Sequence, residues 1–271
     1  MSTSIYLWDA EEYAQHSSAQ FAWAKELVDK LDLHGWEHVL DIGCGDGKVS
    51  AHIAKRLPHG SVTGIDNSLA MIERARGMFT SDLCQNLHFE IMDACAINLS
   101  EYYDRIFSNA ALHWVHDHLA VLRGVKRCLN PSGSILFQMG GKGNAQGVVE
   151  VITNIISQPH WSDYFKNFPF PYSFLSVEEY EKLLNRAGLF PVRLELVPKD
   201  MMHNGRDGLK GWVRTTWLPY TQRLPEAMRE PFIAKTVDDY LSLHPMDNRG
   251  LTHVEMVRLE VEAVNMRDGV S

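Results

Sequence analysis

The sequence predicts an α/β fold in which a parallel sheet carries crossover helices and an α-helical cap. Over the first 140 residues, apolar runs typical of buried strands alternate with segments whose apolar residues recur at helical spacing. This alternation is the pattern of a parallel sheet whose strands are connected by helices. Residues 201–250 separate the last two predicted strands. Because an irregular loop of that length is rare in a compact domain, we expect helices there.

Seven strands are predicted from short apolar runs bounded by glycine, proline or polar turn residues. They lie at 38–42, 61–66, 87–93, 103–108, 134–139, 190–197 and 254–264. Helices are predicted where apolar residues recur every three or four positions. They lie at 21–31, 49–57, 69–78, 118–129, 148–157 and 176–187, with two amphipathic pieces around Trp212 and Phe232. Ser176 and Glu179 have capping-box spacing at the start of the helix that Gly188 ends.

Composition places the chain among ordinary globular proteins. Its 271 residues are 45% hydrophobic and 22% charged. These values fit one large domain, or one domain with an insertion, and exclude disordered and fibrous classes. No run of about 18 apolar residues is present, and the N-terminus has neither a basic start nor a long apolar run. We therefore expect a cytoplasmic protein without a membrane span.

Charge and cysteine content narrow the function classes. The formal net charge is −8, from 26 Lys and Arg against 34 Asp and Glu. This balance argues against binding along a nucleic-acid backbone, which needs a basic surface. The four cysteines form no CxxC pair, and the 13 histidines form no HExxH motif. We expect reduced thiols, no metal site and no nucleic-acid partner.

A glycine-rich turn is the most informative local feature. Gly43, Gly45 and Gly47 follow the predicted strand 38–42 directly. Glycines here allow a sharp turn and let a ligand approach the backbone closely. The helix that follows directs its N-terminal N–H groups to the same place, which suits an electronegative group. Lys48 stands where a dinucleotide-binding turn has its third glycine, so a nicotinamide-dependent oxidoreductase is disfavoured.

Acidic and amide residues end the next three predicted strands. Asp66 ends the second strand, 21 residues after Gly45, close to the spacing of about 20 for a ribose-binding acid. Asp93 ends the third strand, and Asn109 follows the fourth. Each feature alone has another interpretation: a tight connection for the glycines, a helix cap for Asp66 and a turn residue for Asp93. Their joint placement at the carboxyl edge of one sheet favours a ligand site.

These segments resemble motifs of the class I S-adenosylmethionine-dependent methyltransferases. Residues 40–47 (LDIGCGDG) are similar to the glycine-rich first motif, 64–68 (GIDNS) to the ribose-binding strand end and 92–94 (MDA) to the adenine motif. The resemblance covers residues 38–139. It implies a Rossmann-like, seven-stranded, mostly parallel sheet with helices on both faces, whose last strand is antiparallel.

The same resemblance implies a set of residues that bind S-adenosylmethionine. They are Asp41, Gly43, Cys44, Gly45, Asp66, Asn67, Met71, Asp93, Ala94, Asn109 and Ala110. By this carry-over Asp66 holds the ribose, and Asp93 with Ala94 meets the adenine. Asp41, Gly43 and Gly45 lie along the methionine portion, beside Asn109 and Ala110.

A narrower resemblance concerns the acceptor. Residues 108–115 (SNAALHWV) are similar to a segment of trans-aconitate and malonyl-carrier-protein methyltransferases, and residues 8–20 to the N-terminal helix of trans-aconitate and juvenile-hormone-acid methyltransferases. In the latter group a Gln and a Trp matching Gln20 and Trp114 hold the substrate carboxylate. His113 is a candidate base, so Gln20, Trp114 and His113 form the predicted catalytic set. The alternatives are a helix-surface role for Gln20 and packing for Trp114 and His113.

The function expected from these observations is O-methylation of the carboxylate of a small organic acid, with S-adenosylmethionine as methyl donor. A carboxylate is already ionised at neutral pH and needs no strong base. N- or C-methylation of another metabolite, and a non-catalytic binding module, remain alternatives. The aromatic residues after position 140 suit either an apolar lid or simple packing.

The expected domain organisation follows the motifs. Residues 38–140 form the cofactor-binding Rossmann-like core, preceded by an N-terminal helical lid at 1–37. Residues 141–200 complete the core and carry a substrate-side insertion. The helical cap covers 201–253, and 254–271 form the last strand and a tail.

Overall fold

A computed structural model describes residues 18–265, which divide into two compact units. The sheet unit comprises residues 20–142, 172–197 and 258–265. The helical unit comprises residues 18–19, 143–171 and 198–257. Residues 1–17 of the predicted N-terminal lid (residues 1–37) lie outside the described residues. Among the described residues, no helix is both long and apolar enough to span a bilayer.

The secondary structure follows the predicted alternation. The strands are β1 His38–Ile42, β2 Ser61–Asp66, β3 Leu87–Ile91, β4 Tyr103–Asn109, β5 Leu129–Gly140, β6 Phe190–Asn204 and β7 Leu251–Val264. The helices are α1 Ser18–Val28, α2 Lys48–Ala54, α3 Leu69–Met78, α4 His118–Cys128, α5 Gln146–Ile156, α6 Pro159–Ser162, α7 Val177–Ala187, α8 Gly205–Thr216, α9 Leu218–Thr221 and α10 Glu226–Leu243. Short 3₁₀ turns cover Ala94–Ala96, Leu112–Trp114 and Asp163–Phe165.

The seven strands form one sheet in the order β3-β2-β1-β4-β5-β7-β6. Strand β1 runs parallel to β2 and β4, β2 is parallel to β3, and β4 is parallel to β5. Strand β7 pairs antiparallel with β5. The predicted fold class is therefore confirmed, including the reversed last strand. Because the strand order turns at β1 and β4, a ligand crevice is expected at their carboxyl ends.

Helices cover both faces of the sheet, as predicted. On one face Phe137 of β5 packs with Val121 of α4 and Tyr180 of α7. On the other, Leu136 packs with Ile53 of α2. Successive residues of a strand point to opposite faces, so neighbouring β5 residues enter different apolar clusters. This burial contributes about 25 cal/mol of stabilising free energy per Å² of apolar surface. It fixes the register of the strands, because a shift by one residue would expose these side chains.

Some element boundaries differ from the sequence prediction. Strand β5 begins at Leu129, although Pro131 and Gly133 predict a break before residue 134. The Asn265 side chain donates to the Leu129 carbonyl at 2.8 Å, and its backbone N–H donates to the Gly133 carbonyl at 2.9 Å. These bonds come from the far end of the chain, so local sequence does not reveal them. The capping box of Ser176 and the ending at Gly188 are confirmed.

The helical unit has an aromatic core. Trp161 lies edge-on to Phe232, with ring centroids 5.2 Å apart, and Phe165 stacks on the same ring at 5.9 Å. Trp212 and Trp217 meet edge-to-face at 5.8 Å. The helices predicted around Trp212 and Phe232 are α8 and α10. Much of the aromatic content after position 140 therefore packs within this unit.

Candidate functional site

The glycine-rich turn folds back onto the neighbouring strand. The backbone N–H groups of Gly43 and Cys44 both donate to the Ile65 carbonyl of β2, at 2.7 and 3.0 Å. Gly43, Gly45 and Gly47 have φ of 74°, 53° and 78°. Residues with a Cβ rarely adopt these left-handed values. The local chain path thus requires glycine at alternate positions.

The three glycines differ in what surrounds them. A Cβ on Gly43 would lie 2.1 Å from the Ala111 Cβ, and one on Gly47 would lie 2.5 Å from the Phe89 ring. A Cβ on Gly45 would meet no atom within 4 Å. Gly43 and Gly47 are therefore needed for packing, whereas Gly45 faces open space that a ligand can enter.

Asp66 connects the glycine-rich turn to the start of α3. One carboxylate oxygen, Oδ2, accepts the Gly45 N–H at 3.0 Å, and Oδ1 accepts the Ser68 N–H at 2.9 Å. Burial raises the pKa of Asp66, and these backbone N–H donors act in the opposite direction. Since each carboxylate oxygen has a second lone pair, Asp66 can accept further hydrogen bonds from a ligand while holding the turn.

Asp41 lies behind the turn rather than on its surface. It is 2% exposed, and its Oδ2 accepts the Ser50 hydroxyl of α2 at 2.6 Å. Burial raises the pKa of Asp41 to about 7; the Ser50 bond opposes that shift, and the Asp66 charge adds to it. Burial also raises the pKa of the adjacent Cys44 thiol. Asp41 thus anchors α2 to β1, and its contact with a cofactor stays a prediction.

The remaining predicted nucleoside residues follow the ends of β2 and β3. Asp93 accepts the Cys95 N–H at 2.8 Å and so caps the turn Ala94–Ala96. The Met92 N–H donates to the Asp66 carbonyl at 3.0 Å, which ties the two strand ends together. Asn67 is exposed, and Met71 is buried on α3. The predicted ribose and adenine residues therefore share one edge of the sheet.

The end of β4 carries two unusual features. The Asn109 Oδ1 is buried, and no hydrogen-bond partner for it exists among the described residues. Ala110, the next residue, has φ of 55° and donates its N–H to the Gln138 carbonyl at 2.8 Å. Buried acceptors are normally satisfied, and strained backbone of this kind concentrates at binding sites. Both features indicate a place for a ligand donor beside the glycine-rich turn.

An aromatic cluster forms next to this strand end. The His113 ring lies 5.7 Å from Trp114, 6.3 Å from Tyr172 and 6.1 Å from Phe174. Trp114 and Tyr172 meet edge-to-face at 5.1 Å, and the His113 carbonyl accepts the Ser173 N–H at 2.8 Å. The sequence predicted His113 and Trp114, but grouped Tyr172 and Phe174 only with the other aromatic residues after position 140.

His113 is held in its neutral form. Burial lowers its pKa well below the ordinary value, and repulsion by the positive charge of Arg258 adds to the effect. The Gly140 N–H lies 3.5 Å from Nδ1, a long contact in which Nδ1 accepts and the ring proton sits on Nε2. His113 is therefore a weak base and a hydrogen-bond donor.

The third predicted catalytic residue, Gln20, lies on α1, and its side chain is outside the described part of the structure. Arg258 is buried, at 4% exposure, although the sequence predicts no role for it. The sequence gives little indication of this burial. An arginine that shares one face of a predicted strand with two glutamates is typical of a solvent-facing position.

The chain is similar to known methyltransferases in sequence and in fold. Residues 39–133 match the family described as a methyltransferase domain. The chain is similar to trans-aconitate 2-methyltransferase of Escherichia coli, at 26% identity over 96% of this chain and 98% of the relative. The corresponding enzyme of Deinococcus radiodurans is 34% identical over 49% of each chain. Haemonchus contortus phosphoethanolamine N-methyltransferase 2, solved with phosphomonomethylethanolamine and S-adenosylhomocysteine, shares the fold with a TM-score of 0.60 at 14% identity, covering 95% of this chain and 57% of that chain.

Proposed function

We propose that this chain, an S-adenosylmethionine-dependent methyltransferase by its domain match and its relatives, methylates a carboxylate oxygen of a small organic acid. The observation that carries the proposal is the similarity to trans-aconitate 2-methyltransferase along nearly the whole of both chains. That similarity includes the part of the chain beyond the methyltransferase domain at 39–133, where acceptor specificity is expected to lie.

When bound at the glycine-rich turn, S-adenosylmethionine would supply an electrophilic methyl group for the acceptor. In this proposal Asp66 accepts hydrogen bonds from the ribose, and Asp93 lies at the adenine. The open space at Gly45 and the buried Asn109 Oδ1 support the methionine portion there. The Asn109 Oδ1 is a hydrogen-bond acceptor that suits the ammonium group of the methionine portion. A hydrogen bond from an ammonium group to a neutral oxygen is charge-assisted.

The state of His113 favours a carboxylate acceptor. A general base works best with a pKa near the working pH, whereas burial lowers the pKa of His113 well below its usual value. A phenol or an ammonium acceptor would need such a base. A carboxylate is ionised without one, and the Nε2–H of neutral His113 can donate a hydrogen bond to it. His113 is thus proposed to orient the acceptor rather than to remove a proton.

The experiment is methyl transfer from labelled S-adenosylmethionine to a panel containing trans-aconitate, fumarate and fumaramate, together with simple amines and phenols. The expected product is a methyl ester, identified by mass and by loss of the label in mild base. The rate should show no titration with a pKa near 6.5 between about pH 6 and pH 8.5. Label found only in base-stable N- or C-methyl products would contradict the proposal.

A further inference from the structure

Two buried hydrogen-bond acceptors lie side by side near the carboxyl ends of β4 and β5. Asn109 of β4 is paired with Gln138 of β5 in the parallel register. Paired residues on neighbouring strands are about 4.8 Å apart, and their side chains point to the same face of the sheet. The Asn109 Oδ1 and the Gln138 Oε1 are both buried, and neither has a hydrogen-bond partner among the described residues. The two strands therefore present adjacent acceptors that this part of the chain leaves unsatisfied.

The orientation of the Gln138 amide is fixed by Glu260 of β7. Gln138 is 2% exposed, and its Nε2 donates to the Glu260 Oε1 at 2.9 Å. The other carboxylate oxygen of Glu260 accepts the Lys30 Nζ at 2.6 Å and the Arg193 Nη1 at 2.7 Å. Burial acts to raise the pKa of Glu260, but these hydrogen bonds outweigh it, and the pKa is lowered.

An ionised Glu260 permits only one orientation of the neighbouring amide. Rotation of the Gln138 amide would bring its oxygen against the carboxylate, and two acceptors repel each other. The Gln138 Oε1 therefore faces away from β7. Since β5 lies between β7 and β4, that oxygen is directed to the side on which Asn109 lies.

The chemistry of the bound molecules indicates the donor for this pair. Buried acceptors are normally satisfied. The reacting group of the proposed acceptor is an ionised carboxylate, which has no N–H or O–H to give. The methionine portion of S-adenosylmethionine carries an ammonium group with three N–H donors. Strand β4 is also the neighbour of β1, whose carboxyl end leads into the glycine-rich turn.

We propose that Gln138 is a second acceptor, beside Asn109, for the ammonium group of S-adenosylmethionine, and that Glu260 is the positioning residue that holds Gln138 for this role. The inference rests on the proposed function, which places the methionine portion at Asn109, and deepens it. Two neutral oxygens on one cation give charge-assisted hydrogen bonds. Cofactor affinity then depends on the amino group as well as on the nucleoside.

The test compares S-adenosylhomocysteine with its deaminated analogue, in which hydrogen replaces the amino group, by isothermal titration of the full chain. We expect the wild-type protein to bind the analogue about 10- to 100-fold more weakly, the range for hydrogen bonds to a charged group. Gln138→Met keeps the length of the side chain but removes the amide. It should weaken S-adenosylhomocysteine binding about 10-fold and leave the affinity for the analogue unchanged, so that the ratio of the two affinities falls.

Glu260→Gln tests the positioning role. A glutamine at this position can donate as well as accept, so the Gln138 amide is no longer restricted to one orientation. We expect the ratio of the two affinities to fall, by less than in Gln138→Met. A merely structural role for Glu260 would lower the free energy of unfolding in urea without changing that ratio.

Gln146→Met is the matched control for Gln138→Met. The Gln146 Nε2 also donates to a glutamate oxygen at 2.9 Å, that of Glu150, but this pair is exposed on α5. Both affinities of this variant should equal those of the wild type. Urea unfolding shows whether each variant is folded, and the wild-type comparison of the two ligands needs no variant at all.

The two proposals can fail separately, because the titration needs no methyl acceptor. If the wild-type protein binds both ligands equally, or if folded Gln138→Met keeps the wild-type ratio, the ammonium role of Gln138 is rejected while carboxylate methylation stands on its own assay. If the ratios change as expected but the methyl label enters only base-stable products, the role of Gln138 is retained and carboxylate methylation is rejected.

Discussion

The Asp66 carboxylate accepts the backbone N–H of Gly45 at 3.0 Å, across 21 residues of sequence. This bond joins the two motifs that the sequence identified separately, the glycine-rich turn and the acid at the end of β2. It shows that Asp66 has a structural partner in the turn, in addition to any ligand. Loss of Asp66 is therefore expected to disturb the turn as well as to remove acceptors for the ribose.

Asp66→Ala should weaken S-adenosylhomocysteine binding by about 1.5–3 kcal/mol, the value of hydrogen bonds to a charged group. Isothermal titration measures the change. Asp104→Ala is the matched control, because Asp104 accepts the His38 N–H at 2.9 Å at the opposite, amino ends of β1 and β4. It should cost stability but not affinity. Unchanged affinity of a folded Asp66→Ala variant would reject the ribose assignment.

Gly45→Ala and Gly43→Ala should distinguish a role in ligand binding from a role in folding stability. Both place a Cβ at positive φ, which costs about 1–2 kcal/mol. Only at Gly43 does the new atom also collide with Ala111. We expect Gly43→Ala to lower the free energy of unfolding more, in urea titrations. Gly45→Ala should remain folded but lose affinity for S-adenosylhomocysteine. Full affinity in Gly45→Ala would mean that no ligand approaches this glycine.

The pH dependence of stability should carry a signature of Asp41. Its pKa rises from an ordinary value near 3.8 to about 7 in the folded protein. The folded state therefore binds the proton more tightly than the unfolded state, and stability falls as pH increases between these two values. Asp41→Asn removes this titration while keeping an acceptor for the Ser50 hydroxyl.

The measurement is the free energy of urea unfolding at pH 5 and pH 8 for both proteins. The free energy of unfolding of Asp41→Asn, relative to that of the wild type, should be higher at pH 8 than at pH 5. An equal difference at both pH values would show that Asp41 has an ordinary pKa in the folded state.

Trp114→Ala and Gln20→Ala should reduce acceptor turnover more than cofactor binding. Trp114 packs edge-to-face with Tyr172 within the aromatic cluster at the end of β4, so its loss opens the proposed acceptor surface. Steady-state kinetics and S-adenosylhomocysteine titration provide the two readouts. Trp161→Ala, in the separate aromatic core of the helical unit, serves as a packing control. Equal losses of turnover and binding in Trp114→Ala would indicate packing alone.

Local patterns were sufficient to predict the seven strands, their mostly parallel arrangement and the sheet edge at which the candidate site lies. The glycine spacing and the acids at the ends of β2 and β3 are local signals, because they depend on chain geometry within a few residues. The extension of β5 back to Leu129 was not predictable, since Asn265, at the other end of the chain, supplies the hydrogen bonds that hold it.

The sequence by itself determined the fold class, because backbone conformation and strand-end placement depend on short-range residue patterns. The set of residues expected to hold the cofactor was implied by the resemblance of those segments to S-adenosylmethionine-dependent methyltransferases. Only the tertiary structure decided that Asp41 is buried behind the turn, that His113 is neutral, and that Arg258 lies opposite Gly140 and against Trp23. Those properties depend on burial and on charges from distant strands and helices. Burial and long-range charge arise only when the chain is folded, so no spacing in the sequence encodes them directly.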